Sequence, residues 1–270
     1  MKYMSFNSSC AFAGVANMLQ QLGIDVQDRD IALGMKLPYL FVKEDDAYLS
    51  GPMLQSACWF NLYLNPLGYA MVETPVHRET VPAFLRKKSL AMMGLRISPR
   101  EKHAVIFLGM DGETFLLRNN KWENSDEPEL LRFTRQELLA RLDEQVMIAH
   151  LEQSPRIVPD FQPLLRQSCA VLAQLKDSIG AFCATEKTPA EMMAATNTLF
   201  RPILLDGITM LDLIGQDDLA QQLRVAQSAF LKTVRAGQTA VLAQVLDMTA
   251  IENAMDAYIG LIQSQLFFEQ

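Results

Sequence analysis

Histidine is scarce in this chain, with only three among 270 residues. Cysteine is nearly as scarce: four, at positions 10, 58, 169 and 183, with wide and irregular spacing. No CxxC or HxxxH pair occurs, so the ligand sets of a zinc site are missing. The opening Met1-Lys2-Tyr3-Met4-Ser5 has no apolar stretch before a cleavage site, which argues against a secretory signal. The thiols therefore read as reduced side chains and not as a disulfide framework. No apolar run approaches the roughly 20 residues of a membrane span. An excess of basic charge is also lacking. The net charge is −7 and the pI about 5.1, and the nearest basic run, Arg86-Lys87-Lys88, reads as a solvated helix end. That balance excludes a nucleic-acid binder, which needs a basic patch or stripe. Neither a GxGxxG nor a P-loop pattern is present. The expectation is a cytoplasmic protein with no cofactor, no metal, no nucleic-acid partner and no membrane segment.

What remains is an ordinary globular composition, 50% hydrophobic and 20% charged, long enough for one large domain or two moderate ones. The two halves differ in pattern. Residues 1–152 mix helical and strand-like runs, residues 153–163 hold the proline-dense Gln153-Ser154-Pro155-Arg156-Ile157-Val158-Pro159 and Pro163, and residues 164–270 read as helical throughout. In the first part, Phe12, Val15, Ala16, Leu19 and Leu22 recur at helical spacing over Cys10–Leu22, with Ser8 or Ser9 as cap and Gly23 as stop. Shorter helices are expected over Asp28–Met35, Met53–Leu64 and Thr80–Lys87, and one after the capping box Thr134-Arg135-Gln136-Glu137. Leu90–Leu95, Val105–Gly109, Thr114–Arg118 and Val146–Leu151 read as strands, with Asp111-Gly112 as a hairpin turn. Helices first and an antiparallel sheet later is an α+β layout. In the second part, Leu164–Cys183, Pro189–Ile214, Asp217–Arg235 and a segment from Thr239 or Thr249 to Phe268 carry amphipathic patterns of a helical bundle. Asp206-Gly207 reads there as a kink or a close helix contact.

The chemistry-bearing residues are few. Cys10 opens the first helix, where unsatisfied N–H groups and the macrodipole favour a thiolate. His103 begins a strand after the polar loop Ser98-Pro99-Arg100-Glu101-Lys102. A histidine near a thiol can take its proton during acyl transfer. Asn119 and Asn120 lie just past the return strand, where a hairpin sets them beside the start of the preceding one. Alternation puts Phe115, Leu117 and Asn119 on one face and Leu116, Arg118 and Asn120 on the other. Either asparagine could hold the second ring nitrogen of His103, with Asn119 preferred. Cys58, Cys169 and Cys183 sit inside helical patterns and read as core. His77 reads as a surface residue and His150 as a core one. Glu44-Asp45-Asp46 reads as a solvated loop.

The stretch from Asn7-Ser8-Ser9-Cys10-Ala11-Phe12 through Gly34 and Pro38-Tyr39-Leu40-Phe41 resembles the N-terminal domain of the butirosin-biosynthesis acyltransferase family. That family is papain-like and related to the C39 peptidases. The resemblance covers roughly the first 150 residues and rests on short motifs. It implies a papain-like α+β fold with an appended helical domain, and places Cys10 as nucleophile, His103 as general base and acid, and Asn119 as orienting group. Two positions depart from the pattern. Met4 stands where C39-type enzymes carry an oxyanion-hole glutamine, leaving Asn7 as a differently spaced substitute, and position 119 is an amide where relatives often have aspartate. The implied substrate is a peptide or an acyl group on a carrier protein, with the helical domain offering a carrier-binding or homo-oligomer surface. The alternative is a catalytically weak or inactive scaffold that serves as a binding protein.

Overall fold

A six-stranded antiparallel sheet organises the part of the chain that holds Cys10 and His103. The structure, a computed structural model, describes residues 1–88, 90–98 and 101–267. Two units are distinguished: Met1–Met35 with Gln55–Pro159, and Lys36–Leu54 with Asp160–Gln270. The segment 36–54 therefore groups with the helices, although its place in the sequence lies well before residue 152.

The first unit begins with helix α1 (Cys10–Gln21) and helix α2 (Asp28–Gly34). After the excursion of strands β1 (Phe41–Glu44) and β2 (Ala47–Ser50) into the second unit, it continues with helix α3 (Ala57–Leu67), strand β3 (Tyr69–His77), helix α4 (Val81–Leu85) and strands β4 (Ala91–Arg96), β5 (Lys102–Asp111), β6 (Thr114–Asn119) and β7 (Leu130–Phe133). Helix α5 (Arg135–Ala140) and strand β8 (Gln145–Gln153) complete it. The strand order is β3-β8-β4-β5-β6-β7.

The sheet has helices on both faces. Val105, Phe107, Phe115 and Leu117 form one core with Val81 and Leu85 of α4 and Leu138 and Leu142 at α5. The opposite face meets α1. A Cβ added at Gly14 would collide with Met92 Sδ and fall 2.9 Å from Asn120 Nδ2, so any larger residue there would force both side chains to move. Phe12, Val15, Ala16 and Leu19 are fully buried, which accounts for the helical period in the sequence, whereas Leu22, expected in the same stripe, caps the helix and is exposed. The stop at Gly23 is observed as a Schellman closure, with Gly23 N donating to Gln20 O and Ile24 N to Leu19 O. The capping box at Thr134 and Glu137 is formed on both sides.

Strands β3 and β7 were not evident in the sequence pattern. Pro75 interrupts β3, which is tolerated because β3 is the edge strand. The hairpin joining β5 and β6 also differs slightly from expectation. Asp111 pairs with Thr114, so the two loop residues are Gly112 and Glu113, with Gly112 at φ 58°.

In the second unit, β1 and β2 form a hairpin whose turn is the exposed acidic run expected from the sequence. Phe41 packs edge-on against Tyr258 at 5.1 Å, Phe41 N donates to Ser168 Oγ at 3.0 Å, and Tyr258 Oη donates to Pro38 O at 2.7 Å. These contacts explain why 36–54 groups with the helices. Those helices are α6 (Gln162–Cys183), α7 (Pro189–Ala195), α8 (Ile208–Leu213), α9 (Asp217–Ala236) and α10 (Met248–Phe267), close to the expected segments. The expected end at Phe268 lies outside the described residues. A two-residue pairing of β9 (Glu186–Lys187) with β10 (Ala240–Val241) interrupts what was read as helical throughout. Between α7 and α8 the chain widens into π-helical turns, Thr196–Phe200 and Pro202–Gly207. Pro202 supplies no N–H, and a Cβ at Gly207 would fall 2.9 Å from Pro202 O, so the expected kink takes the form of a wide, tightly packed turn.

Asp206 is buried in those turns. Its Oδ2 accepts from Arg201 Nε at 3.0 Å, while Oδ1 has no hydrogen-bond partner among the described residues. Burial pushes its carboxyl from 3.8 up to about 6, against the opposing pull of the Arg201 guanidinium. The folded chain holds this proton more tightly than the unfolded one. The resulting stability is present below about pH 4 and is lost as pH rises through about 6, on the order of 3 kcal/mol. Asp206→Asn is expected to remove that dependence. Melting curves at pH 4.5 and 7.5 should show the native protein weakening relative to the variant, and parallel curves would contradict the assignment.

Candidate active site

The loop before Cys10 is tied down by one buried carboxylate. Asp28, the first residue of α2, accepts from Ser5 N (2.7 Å), Ser5 Oγ (2.6 Å), Ser9 Oγ (2.8 Å) and Arg29 N (2.8 Å). Ser9 is the residue before the helix, but its hydroxyl is spent on Asp28, and it makes no side-chain cap. The capping role expected of Ser8 or Ser9 is thus replaced by a clamp between α2 and the loop. Ser8 adopts φ 53°, a left-handed conformation uncommon for a residue other than glycine. Asp28→Ala removes all four contacts and leaves the buried Ser9 hydroxyl unpaired. The expected cost is about 2–4 kcal/mol in urea unfolding, with a fall in Cys10 reactivity. Unchanged stability would contradict the clamp.

The Cys10 sulfur faces the backbone N–H groups of Ala104, Ala11 and Cys10 itself, all of which favour the thiolate. Burial outweighs them and pushes the thiol above its ordinary value. Among the described residues no hydrogen bond joins Cys10 Sγ to the His103 ring. Burial thus opposes ionisation of the sulfur, which lies beside the peptide N–H that follows His103.

The register of the hairpin decides which asparagine meets His103. Val105 pairs with Asn119, so His103 and Asn119 are diagonal neighbours on one face, within reach of long side chains. His103 Nδ1 lies 3.0 Å from Asn119 Oδ1. Asn120 points the other way. It donates from Nδ2 to Ala104 O at 2.8 Å and accepts from Asn17 Nδ2 at 3.1 Å. Asn120 thus joins α1 to β5 and does not orient the ring.

The remaining expected site residues are placed as follows. Asn7 is half-buried, and its Oδ1 accepts from Ser8 Oγ at 3.4 Å. Met4 is buried, its N donating to Lys121 O at 3.0 Å. A thioether at that position offers no N–H to an oxyanion. His77 is exposed, and its Nδ1 accepts from Glu79 N. His150 is buried with Nε2 2.8 Å from both Lys88 Nζ and Glu152 Oε1. Cys183 is core as expected, its thiol raised by burial to about 11. Cys169 is half-buried, and Cys58 is exposed at the start of α3, contrary to the core reading.

One participant escaped the sequence reading. Glu127 Oε2 accepts from Asn119 Nδ2 at 2.8 Å and lies 3.5 Å from His103 Nδ1. It sits in an irregular polar loop between β6 and β7, and no spacing rule ties such a residue to a strand histidine.

No family model and no curated protein matches the chain. Among solved structures it is similar to the peptidase domain of Streptococcus ComA, a bifunctional ABC transporter of a quorum-sensing pathway. The identity is 10% and the TM-score 0.39, covering 57% of this chain and 96% of that one. It is also similar to a protein described as a C39-like peptidase from Bacillus anthracis, at 13% identity and a TM-score of 0.36, covering 56% and 92%. Likeness at these scores is loose, and the chemistry rests on the residues themselves.

Proposed function

We propose that the chain is a papain-like thiol enzyme that moves acyl groups through a thioester on Cys10. His103 takes the thiol proton and later returns it to the leaving group or withdraws one from the acceptor. Asn119 holds the ring. The observation that carries this reading is the 3.0 Å contact between His103 Nδ1 and Asn119 Oδ1, on the strand whose Ala104 N–H faces the Cys10 sulfur. With Nδ1 donating to the amide oxygen, Nε2 keeps its lone pair, as a general base requires.

The acyl donor is either an amide in a peptide or a thioester on a carrier, and the acceptor is water or an amine. Cys10 sulfur attacks the carbonyl carbon, the donor's C–N or C–S bond breaks, and the leaving group departs with the proton relayed by His103. The acceptor then attacks the thioester and restores the thiol. The negative charge on the carbonyl oxygen is met by N–H groups at the start of α1.

The test is to trap the intermediate. The protein in a Cys58→Ser background, which removes the exposed competing thiol, is incubated with a small acyl thioester and digested for mass spectrometry. The expected result is an acyl adduct on the peptide containing Cys10, formed much more slowly in His103→Ala. An adduct that forms equally fast without His103, or none at all, would favour a binding scaffold.

A further inference from the structure

We propose that Glu127 is a positioning residue that fixes the tautomer of His103 through Asn119 and supplies the negative charge that the amide lacks. The inference rests on the thiol-enzyme reading and deepens it.

An asparagine side chain can be turned either way, since its oxygen and nitrogen are alike in size. Glu127 removes that freedom. Its carboxylate accepts only, so Asn119 must present Nδ2 to Glu127, at 2.8 Å, and Oδ1 to His103, at 3.0 Å. The reverse orientation would set Oδ1 against a carboxylate. With Oδ1 facing the ring, Nδ1 must carry the proton and Nε2 must be the base. The donors then run in one direction, from ring N–H to amide oxygen and from amide N–H to carboxylate, and each bond polarises the next. Asn119 is fully buried, so its orientation is not shared with water.

Glu127 also acts directly. Its Oε2 lies 3.5 Å from His103 Nδ1, close enough to stabilise an imidazolium. The loop that carries it is held in place: Glu127 N donates to Ser125 Oγ, Ser125 N to Trp122 O, Lys121 Nζ to Ser125 O, and Asn119 N to Glu129 O. The charges around the ring are few. Lys121 is turned to Ser125. Lys102, next to His103, is paired with Asp143 at 2.6 Å, and Glu129 accepts from Tyr3 Oη at 2.6 Å.

The experiment uses nitrogen-15 and proton NMR of the full chain, whose three histidines give a simple spectrum. In Glu127→Gln, Asn119 loses the partner that fixes its orientation, so the Nδ1–H signal of His103 should weaken and the ring nitrogen-15 shifts should move toward a mixture of the two tautomers. Asn119→Asp alone places two carboxylates together and should move the ring nitrogen shifts away from the native values. The double variant Asn119→Asp/Glu127→Gln restores one charge at the ring and should bring the ring nitrogen shifts and the Nδ1–H tautomer back toward the native values. Unchanged His77 and His150 signals verify that each variant is folded. An unmoved His103 in Glu127→Gln, or a double variant no closer to native than the singles, would overturn the proposal. Because the readout is the ring itself, a chain that forms no acyl adduct but shows these shifts would refute the enzyme reading and leave the Glu127 assignment standing.

Discussion

Cys10→Ser is expected to lower acyl transfer by roughly 10⁴-fold or more, the scale seen when a nucleophile is removed from a working set. The substitution changes one atom at the head of α1. It leaves the Asp28 clamp, the Gly14 packing and the Asn120 bridge in place, because none of them touches the sulfur. Stability should therefore change by less than about 1 kcal/mol, and the loss of rate can be read as chemistry. Serine fails for a definite reason. Burial already disfavours the anion at Cys10, and a hydroxyl is far harder to deprotonate there than a thiol. Steady-state rates on an acyl thioester, together with urea unfolding of both proteins, check the two halves of this expectation. A Cys10→Ser variant that kept a tenth of the native rate would place the nucleophile elsewhere.

His103→Ala is expected to lower acyl transfer by roughly 10²–10⁴-fold at neutral pH, the range for loss of a positioned general base. The structure sharpens this prediction. Burial raises the Cys10 thiol, so little thiolate forms unaided near pH 7, and a base must take the proton as the carbonyl is attacked. The dependence on His103 should therefore be strongest at neutral pH and fade as the medium itself deprotonates the sulfur. Asn119→Ala should follow the same pattern more weakly, since it frees the ring without removing it. Rates measured from pH 6 to pH 10 check the trend. A His103→Ala deficit of equal size at every pH would point to a structural role for the ring.

The legible parts of this fold were those with a strong local period or cap. The buried stripe of α1, the Thr134 box and the alternation of β6 each reflect one face meeting one core, and each is observed. That Asn119 and Asn120 lie beside His103 was legible for the same reason, because a tight hairpin carries register along two strands, but which of them faces the ring was fixed only by the observed pairing of Val105 with Asn119. Other features depend on partners distant in sequence. Nothing near Pro75 says that β3 lies at a sheet edge, where its missing N–H does no harm. Nothing near Phe41 says that its hairpin packs with Ser168 and Tyr258. Ser9 looked like a cap because serine usually is one, and its preference for Asp28 emerges only once α2 is in place. Glu127 is the sharpest example. Its residue type is common in loops, and its role is set by a hydrogen bond to an asparagine that already looked complete as a partner of His103.

The central claim, that Cys10 depends on His103 as its base, is tested most directly by the pH dependence of Cys10 alkylation. The native sulfur and the His103→Ala variant, both in the Cys58→Ser background, are reacted with iodoacetamide from pH 6 to pH 10.5. The variant is expected to react at least about 10-fold more slowly at pH 7 and to converge with the native rate, within about 2-fold, once the medium alone ionises the Cys10 thiol. Two profiles that superimpose across the whole range would contradict it.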